Sequence, residues 1–311
     1  MVEGSHELRD AYAACQALAQ SHYENFPVAS RLLPKHLRPH VAAVYAFART
    51  ADDFADEPGL DVDTRLRLLN AWRLRLHQPG PGNREPGIGV LPAPGSRLPD
   101  PESVFVALHD TIERFQLPMP LFDDLLDAFV QDVTTPRYET WAAVQDYCRR
   151  SANPVGRLVL RLSGYHDDRL ERASDAVCSA LQLTNFWQDL AIDWSRGRLY
   201  VPAETWRRHQ AEPERLNSGA MTREWTRALR ECADRTRVFF NDGRPVCDGV
   251  SGRLRYELRA TWLGGMRILD RLERSGFDVF ARRPALGATD AIVIACGTLL
   301  WRETPRSPIR S

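Results

Sequence analysis

Apolar residues recur three and four positions apart through most of the chain, which predicts helices over 8–23, 39–56, 63–77, 102–115, 120–132, 140–153, 170–194 and 225–240. No stretch sustains the period-two alternation of a half-buried strand. The pattern therefore predicts an all-α fold, a helical bundle rather than a sheet flanked by helices. Between 78 and 103 the periodicity fails. Seven prolines and five glycines crowd these 26 positions and read as a long surface loop, because the segments on both sides share one helical character. Gly197, Pro202 and Pro213 mark a second break. The apolar run 291–301 is too short to span a bilayer and reads as a closing core helix.

Two of the predicted helices carry acids where their apolar stripes lead. In the first, Val41, Tyr45, Arg49, Asp52 and Asp56 fall along one face, so two carboxylates continue a buried stripe. Carboxylates placed there are costly unless a cation offsets them. The plain alternative is a solvated acidic helix end. In the second, Gln182, Asn185, Asp189 and Asp193 follow at steps of three, four and four, with Leu181, Phe186, Leu190 and Trp194 supplying the packing. Carboxylate and amide oxygens at that spacing suit magnesium, which prefers hard oxygen donors and shares them with a substrate's phosphates. Two such faces across a cavity would cage a diphosphate.

Composition narrows the picture only slightly. Hydrophobic residues at 43% and charged residues at 26% exclude a mostly disordered chain. Basic and acidic residues balance at 41 each, so global charge gives no reason to expect capture by nucleic acid, and any binding site is local. The six cysteines form no C-x-x-C pair, and with no secretory signal they read as reduced thiols of a cytoplasmic protein without a disulfide or zinc site. No G-x-G-x-x-G follows a strand, so a dinucleotide site has no motif behind it.

Asp52-Asp53-Phe54-Ala55-Asp56, preceded by Tyr45-Ala-Phe-Ala-Arg49, resembles the first aspartate-rich motif of squalene and phytoene synthases. Gln182-x-x-Asn185-x-x-x-Asp189-x-x-x-Asp193, followed by Gly197-Arg198-Leu-Tyr200-Val-Pro202, resembles the second. The resemblance implies a single-domain isoprenoid synthase bundle with a central cavity, its catalytic body over 21–290 between an N-terminal helix start (1–20) and a C-terminal helix end and tail (291–311). It implies Mg²⁺ as the cofactor, held by Asp52, Asp56, Asn185, Asp189 and Asp193. Arg49, Gln182, Arg198 and Tyr200 would position the diphosphate, and Tyr147 would face the reacting carbons. Three stretches, 22–30, 147–157 and 185–189, resemble the hydroxysqualene synthase branch, which turns presqualene diphosphate and water into hydroxysqualene and diphosphate on the route to squalene and hopanoids.

Each role has a plainer alternative: Arg49 as an ion-pair partner of Asp53 or Glu57, Tyr147 as a core tyrosine. A carbocation left after ionisation needs an apolar aromatic wall, for which Phe26, Tyr45, Phe47 and Phe186 are candidates. Ser151 and Asn153, ahead of a helix-kinking Pro154, offer hydrogen bonds to a water that captures the cation; an ordinary helix end is the other reading. Among rival activities, head-to-head condensation of prenyl diphosphates to presqualene diphosphate or phytoene uses nearly the same motifs. A class I terpene cyclase usually carries Ser or Thr and Glu where this chain has Asp189 and Asp193. A non-catalytic assembly factor of this fold would have lost the acids. Lipid substrates imply peripheral contact with the inner membrane and neighbouring squalene-pathway enzymes as partners, with no nucleic acid.

Overall fold

The structure, a computed structural model, describes residues 3–21, 34–57, 59–78 and 100–302. Among these residues the backbone is helical with no strand, and an isolated parallel bridge joins Arg137 and Leu199. The described residues gather into two compact units, one of 1–135 with 157–165 and the other of 136–156 with 166–311.

The first unit holds α1 (Glu3–Ser21), α2 (Arg38–Asp56), α3 (Val62–His77), α4 (Pro101–Phe115) and α5 (Met119–Thr134). Helix α2 is its axis. Pro39 in its first turn has a ring already set for helical φ, and small alanines between Val41 and Phe47 let four neighbours approach. Phe47 is fully buried, within 6.2 Å of the Trp72, Phe105 and Phe122 rings, and packs in the core of this unit. Tyr12 ties α1 to its neighbours through hydrogen bonds to Asp110 (2.6 Å), His40 and Thr111 (both 2.9 Å). Helix α4 begins at Pro101, which ends the Pro/Gly-rich loop earlier than expected; 79–99 lie outside the described residues.

The second unit is built on α8 (Asp168–Gln188) packed against α11 (Arg223–Gly243). Around them lie α6 (Trp141–Ser151), the start of α7 (Asn153–Leu162), α9 (Leu190–Ser195), α10 (Ala203–Arg208), a 3-10 turn (Pro213–Ser218), α12 (Val246–Gly249), α13 (Gly252–Arg274) and α14 (Ala288–Leu299). The helix expected over 140–153 stops at Ser151, because Pro154 has no N–H to continue the ladder. Helix α13 is not among the helices expected from periodicity, and Gly264-Gly265 lie in its interior. In the fold Gly265 is required: a Cβ there would lie 2.4 Å from the Phe240 ring and 2.8 Å from Leu181.

Gly243 has the same role where α11 meets α8. A Cβ would sit 2.7 Å from both the Ala173 carbonyl and the Val177 N–H, which are backbone atoms and cannot rotate away. Gly243→Ala is expected to destabilise the protein by about 1–3 kcal/mol, read as a lower denaturation midpoint at unchanged slope. An unchanged midpoint would mean that the two helices separate without loss.

Helix α14 corrects a further expectation. It is not a closing core helix: Ile292 is 65% exposed, Leu299 75% and Leu300 79%. What it buries is Asp290 and Thr298.

Candidate active site

In the first unit the acids end α2. Asp52, Asp53 and Asp56 are half-buried on its last turns. Arg49 donates to Asp52 at 3.2 Å and to Asp53 at a shorter distance, so one guanidinium bridges neighbouring carboxylates. Burial works against its charge and the two aspartates more than offset that, raising its pKa. Tyr45 lies one turn earlier at the edge of burial, and burial raises its hydroxyl pKa.

In the second unit the acids sit at a break. The helix expected over 170–194 is interrupted at Asp189 (φ −101°, ψ 9°), where α8 ends and α9 begins. Its ladder continues across the break, Asp189 N–H donating to the Asn185 carbonyl and Asp193 N–H to the Asp189 carbonyl, both 2.8 Å. The four-residue steps therefore survive the distortion. Asn185 Nδ2 donates to Asp189 at 2.7 Å. Arg283 grips the same carboxylate through Nε and Nη2, the latter at 3.1 Å. Gln188 Nε2 fixes the following residue by donating to the Pro284 carbonyl. Sequence reading missed Arg283, and no spacing signal points to it, because it reaches Asp189 from 94 positions away.

Tyr147 is 4% exposed and packs 5.8 Å from each of Tyr138, Phe186 and Tyr200. Phe186 and Tyr200 stack at 3.7 Å. The segment 199–204 is held beside 136–139 by Leu199, Ala203 and Glu204 N–H groups donating to the Pro136, Tyr138 and Glu139 carbonyls, which seats Tyr200 in this cluster. Arg198 is half-buried just before it, its N–H bonded to the Asp193 carbonyl at 2.8 Å, and Gln182 is half-buried one turn before Asn185.

Ser151 and Asn153 differ in kind. Asn153 is buried and its Oδ1 accepts from Ser179 at 2.9 Å, tying α7 to α8. Ser151 Oγ is buried with no hydrogen-bond partner among the described residues. Phe26 and the stretch 22–30 lie outside the described residues.

No three His, Cys, Asp or Glu side chains among the described residues are grouped tightly enough to hold a metal by themselves. The donor chemistry nonetheless fits Mg²⁺, which keeps waters and takes only one or two carboxylates with substrate phosphates. Asp52, Asp56, Asn185, Asp189 and Asp193 offer hard oxygens with no thiol or imidazole among them. Asp52 and Asp189 are each already paired with a guanidinium, as carboxylates that require a cation would be. Burial pushes the Cys15, Cys178 and Cys247 thiols up to about 12, which disfavours the thiolate that a metal or nucleophilic role would need at those three.

The squalene/phytoene synthase family model matches residues 19–290, a span that includes both acidic segments. The chain belongs to the squalene and phytoene synthase family. Among family members, a hydroxysqualene synthase of Rhodopseudomonas palustris is 32% identical over 91% of this chain and 90% of its own. A 15-cis-phytoene synthase of Synechococcus elongatus is 26% identical over 89% of this chain and 88% of its own. A squalene synthase from Alicyclobacillus acidocaldarius, solved by crystallography, is 38% identical, with a TM-score of 0.74 over 87% of this chain and 96% of its own. The fold is thus the all-α isoprenoid synthase fold, and family members act on prenyl diphosphates.

Proposed function

We propose that this protein converts presqualene diphosphate and water to hydroxysqualene and diphosphate, as a carbon–oxygen lyase of squalene and hopanoid biosynthesis. The observation that carries this reading is its higher identity to the hydroxysqualene synthase than to the phytoene synthase, at similar coverage. Asp52, Asp56, Asn185, Asp189 and Asp193 would hold Mg²⁺, whose charge would neutralise the oxygens of the departing diphosphate. Arg49, Gln182, Arg198 and Tyr200 bind and orient that diphosphate, the arginines through forked hydrogen bonds. The carbon–oxygen bond to diphosphate breaks heterolytically, so no protein nucleophile is required.

The aromatic faces of Tyr147, Phe186 and Tyr200 shield and stabilise the resulting cation. Ser151 Oγ, buried and without a hydrogen-bond partner among the described residues, supports a role in holding the water whose oxygen then bonds to the rearranged cation and loses a proton. Asn153 helps to orient that water while its Oδ1 stays tied to Ser179. Because substrate and product are lipids, the protein works in peripheral contact with a membrane.

The test is a reaction in ¹⁸O-labelled water without nicotinamide cofactor. An alcohol carrying the label is expected. Ser151→Ala or Asn153→Ala is expected to shift the ratio of alcohol to hydrocarbon by roughly two- to tenfold, the worth of about one hydrogen bond of 0.5–1.5 kcal/mol. Unlabelled alcohol, or squalene formed only with NADPH, would move the assignment to a reductive synthase. The second reading is head-to-head condensation, favoured by the phytoene synthase among the relatives. It predicts presqualene diphosphate or phytoene when prenyl diphosphates alone are supplied.

A further inference from the structure

Helix α14 is amphipathic in the wrong direction for a helix surrounded by water. A surface helix ordinarily turns its apolar stripe inward and its charges outward. Here the packed stripe is Asp290, Ile294, Gly297 and Thr298, and the outward stripe is Ala288, Ile292, Ala295 and Leu299. Asp290 is wholly buried and accepts from Arg267 and Arg271 of α13, while Gly297 lets the helix close on Leu263. The Gly287 N–H and those two guanidiniums hold its carboxyl well below the usual range. The helix is therefore anchored through its polar side, and the anchor fixes which side faces out.

What faces out is apolar and uncharged. No charged residue occurs from Ala291 to Trp301, and Leu286, Ile292, Val293, Leu299 and Leu300 are half of the large hydrophobics exposed among the described residues. Arginines border the segment in the chain: Arg282 before it and Arg302 after it are both exposed. Twelve residues make a helix of about 18 Å, short of the ~30 Å hydrocarbon core, and no described helix is long and apolar enough to cross a membrane. An apolar face bordered by cations matches the boundary between acyl chains and anionic headgroups. A second copy of the same face fits less well, because a two-fold contact would bring like-charged arginines together.

We propose that α14 is an interfacial helix that docks this protein flat on an anionic lipid bilayer through Ile292, Leu299 and Leu300, with the flanking arginines on lipid phosphates. The inference deepens the membrane contact of the reading above but stands on α14 alone, and its test needs no substrate or turnover.

The full chain is mixed with vesicles of phosphatidylcholine and phosphatidylglycerol, and bound protein is measured by flotation. Wild type is expected to bind, less as salt rises, and less to phosphatidylcholine alone. Ile292→Glu with Leu299→Glu is expected to lower partitioning at least about tenfold at unchanged helical content, since both side chains already lie outside the core. A second readout uses the unsubstituted protein. An environment-sensitive dye on the exposed Cys296 should shift to the blue on anionic vesicles. Absence of wild-type binding, or full binding by the double variant, would overturn the proposal. So would a variant that loses self-association while keeping vesicle binding, which would assign the face to a second copy of the chain.

Discussion

Replacing Asp189 by asparagine is expected to reduce turnover of presqualene diphosphate by about a hundredfold or more, with the fold intact. The substitution keeps the size of the side chain and removes its charge. In the resting protein that charge is shared between Arg283 and Asn185 on a partly exposed helix break, where an ion pair contributes about 0–1 kcal/mol to stability. In the proposed reaction the same charge helps hold the cation that faces diphosphate as it departs. A hundredfold loss corresponds to about 2.7 kcal/mol of transition-state stabilisation, well above the structural contribution. Asp52→Asn should behave alike in the first unit. Turnover is to be compared with the thermal midpoint, and Arg283→Gln added to separate the pairing role of Asp189 from its charge. Activity of either aspartate variant within tenfold of wild type would remove these carboxylates from the chemistry.

Chelation is expected to abolish turnover completely while leaving the helical signal unchanged, and Mg²⁺ should restore it. The fold has no need of a cation: Phe47, Trp72 and Phe122 hold one unit, and Trp187, Trp225 and Phe240 hold the other, all fully buried. The acidic side chains lie on half-exposed helix ends, where a lost cation costs the core nothing. Circular dichroism and product formation on the same chelated sample check this. A non-reactive diphosphate analogue should raise the thermal midpoint only when Mg²⁺ is present, because a ligand that binds only the folded state stabilises it. Turnover persisting in excess chelator, or unfolding caused by it, would each contradict the scheme.

Sequence by itself determined the helical class, most helix positions and the two acidic segments. Those properties are local: a period near 3.6, and polar side chains at steps of three and four, are visible in a dozen residues. It also marked where Pro154 would break a helix, since a missing N–H acts within one turn. Tertiary structure decided the rest. Gly265 carries no packing signal in the chain and is a contact in the fold, because the Phe240 ring that excludes a side chain there comes from another helix. Arg283 finds Asp189 across 94 residues, a distance no spacing rule covers. Phe47 and Phe186 are equally aromatic in sequence and both are buried, yet one packs among Trp72, Phe105 and Phe122 and the other stacks on Tyr200, since neighbours rather than residue type decide what a ring packs against. For α14 an apolar run of eleven residues indicated a core helix. Arg267 and Arg271 reversed that reading: by taking up the Asp290 charge from a separate helix, they fix its polar side inward and leave the hydrocarbon facing out.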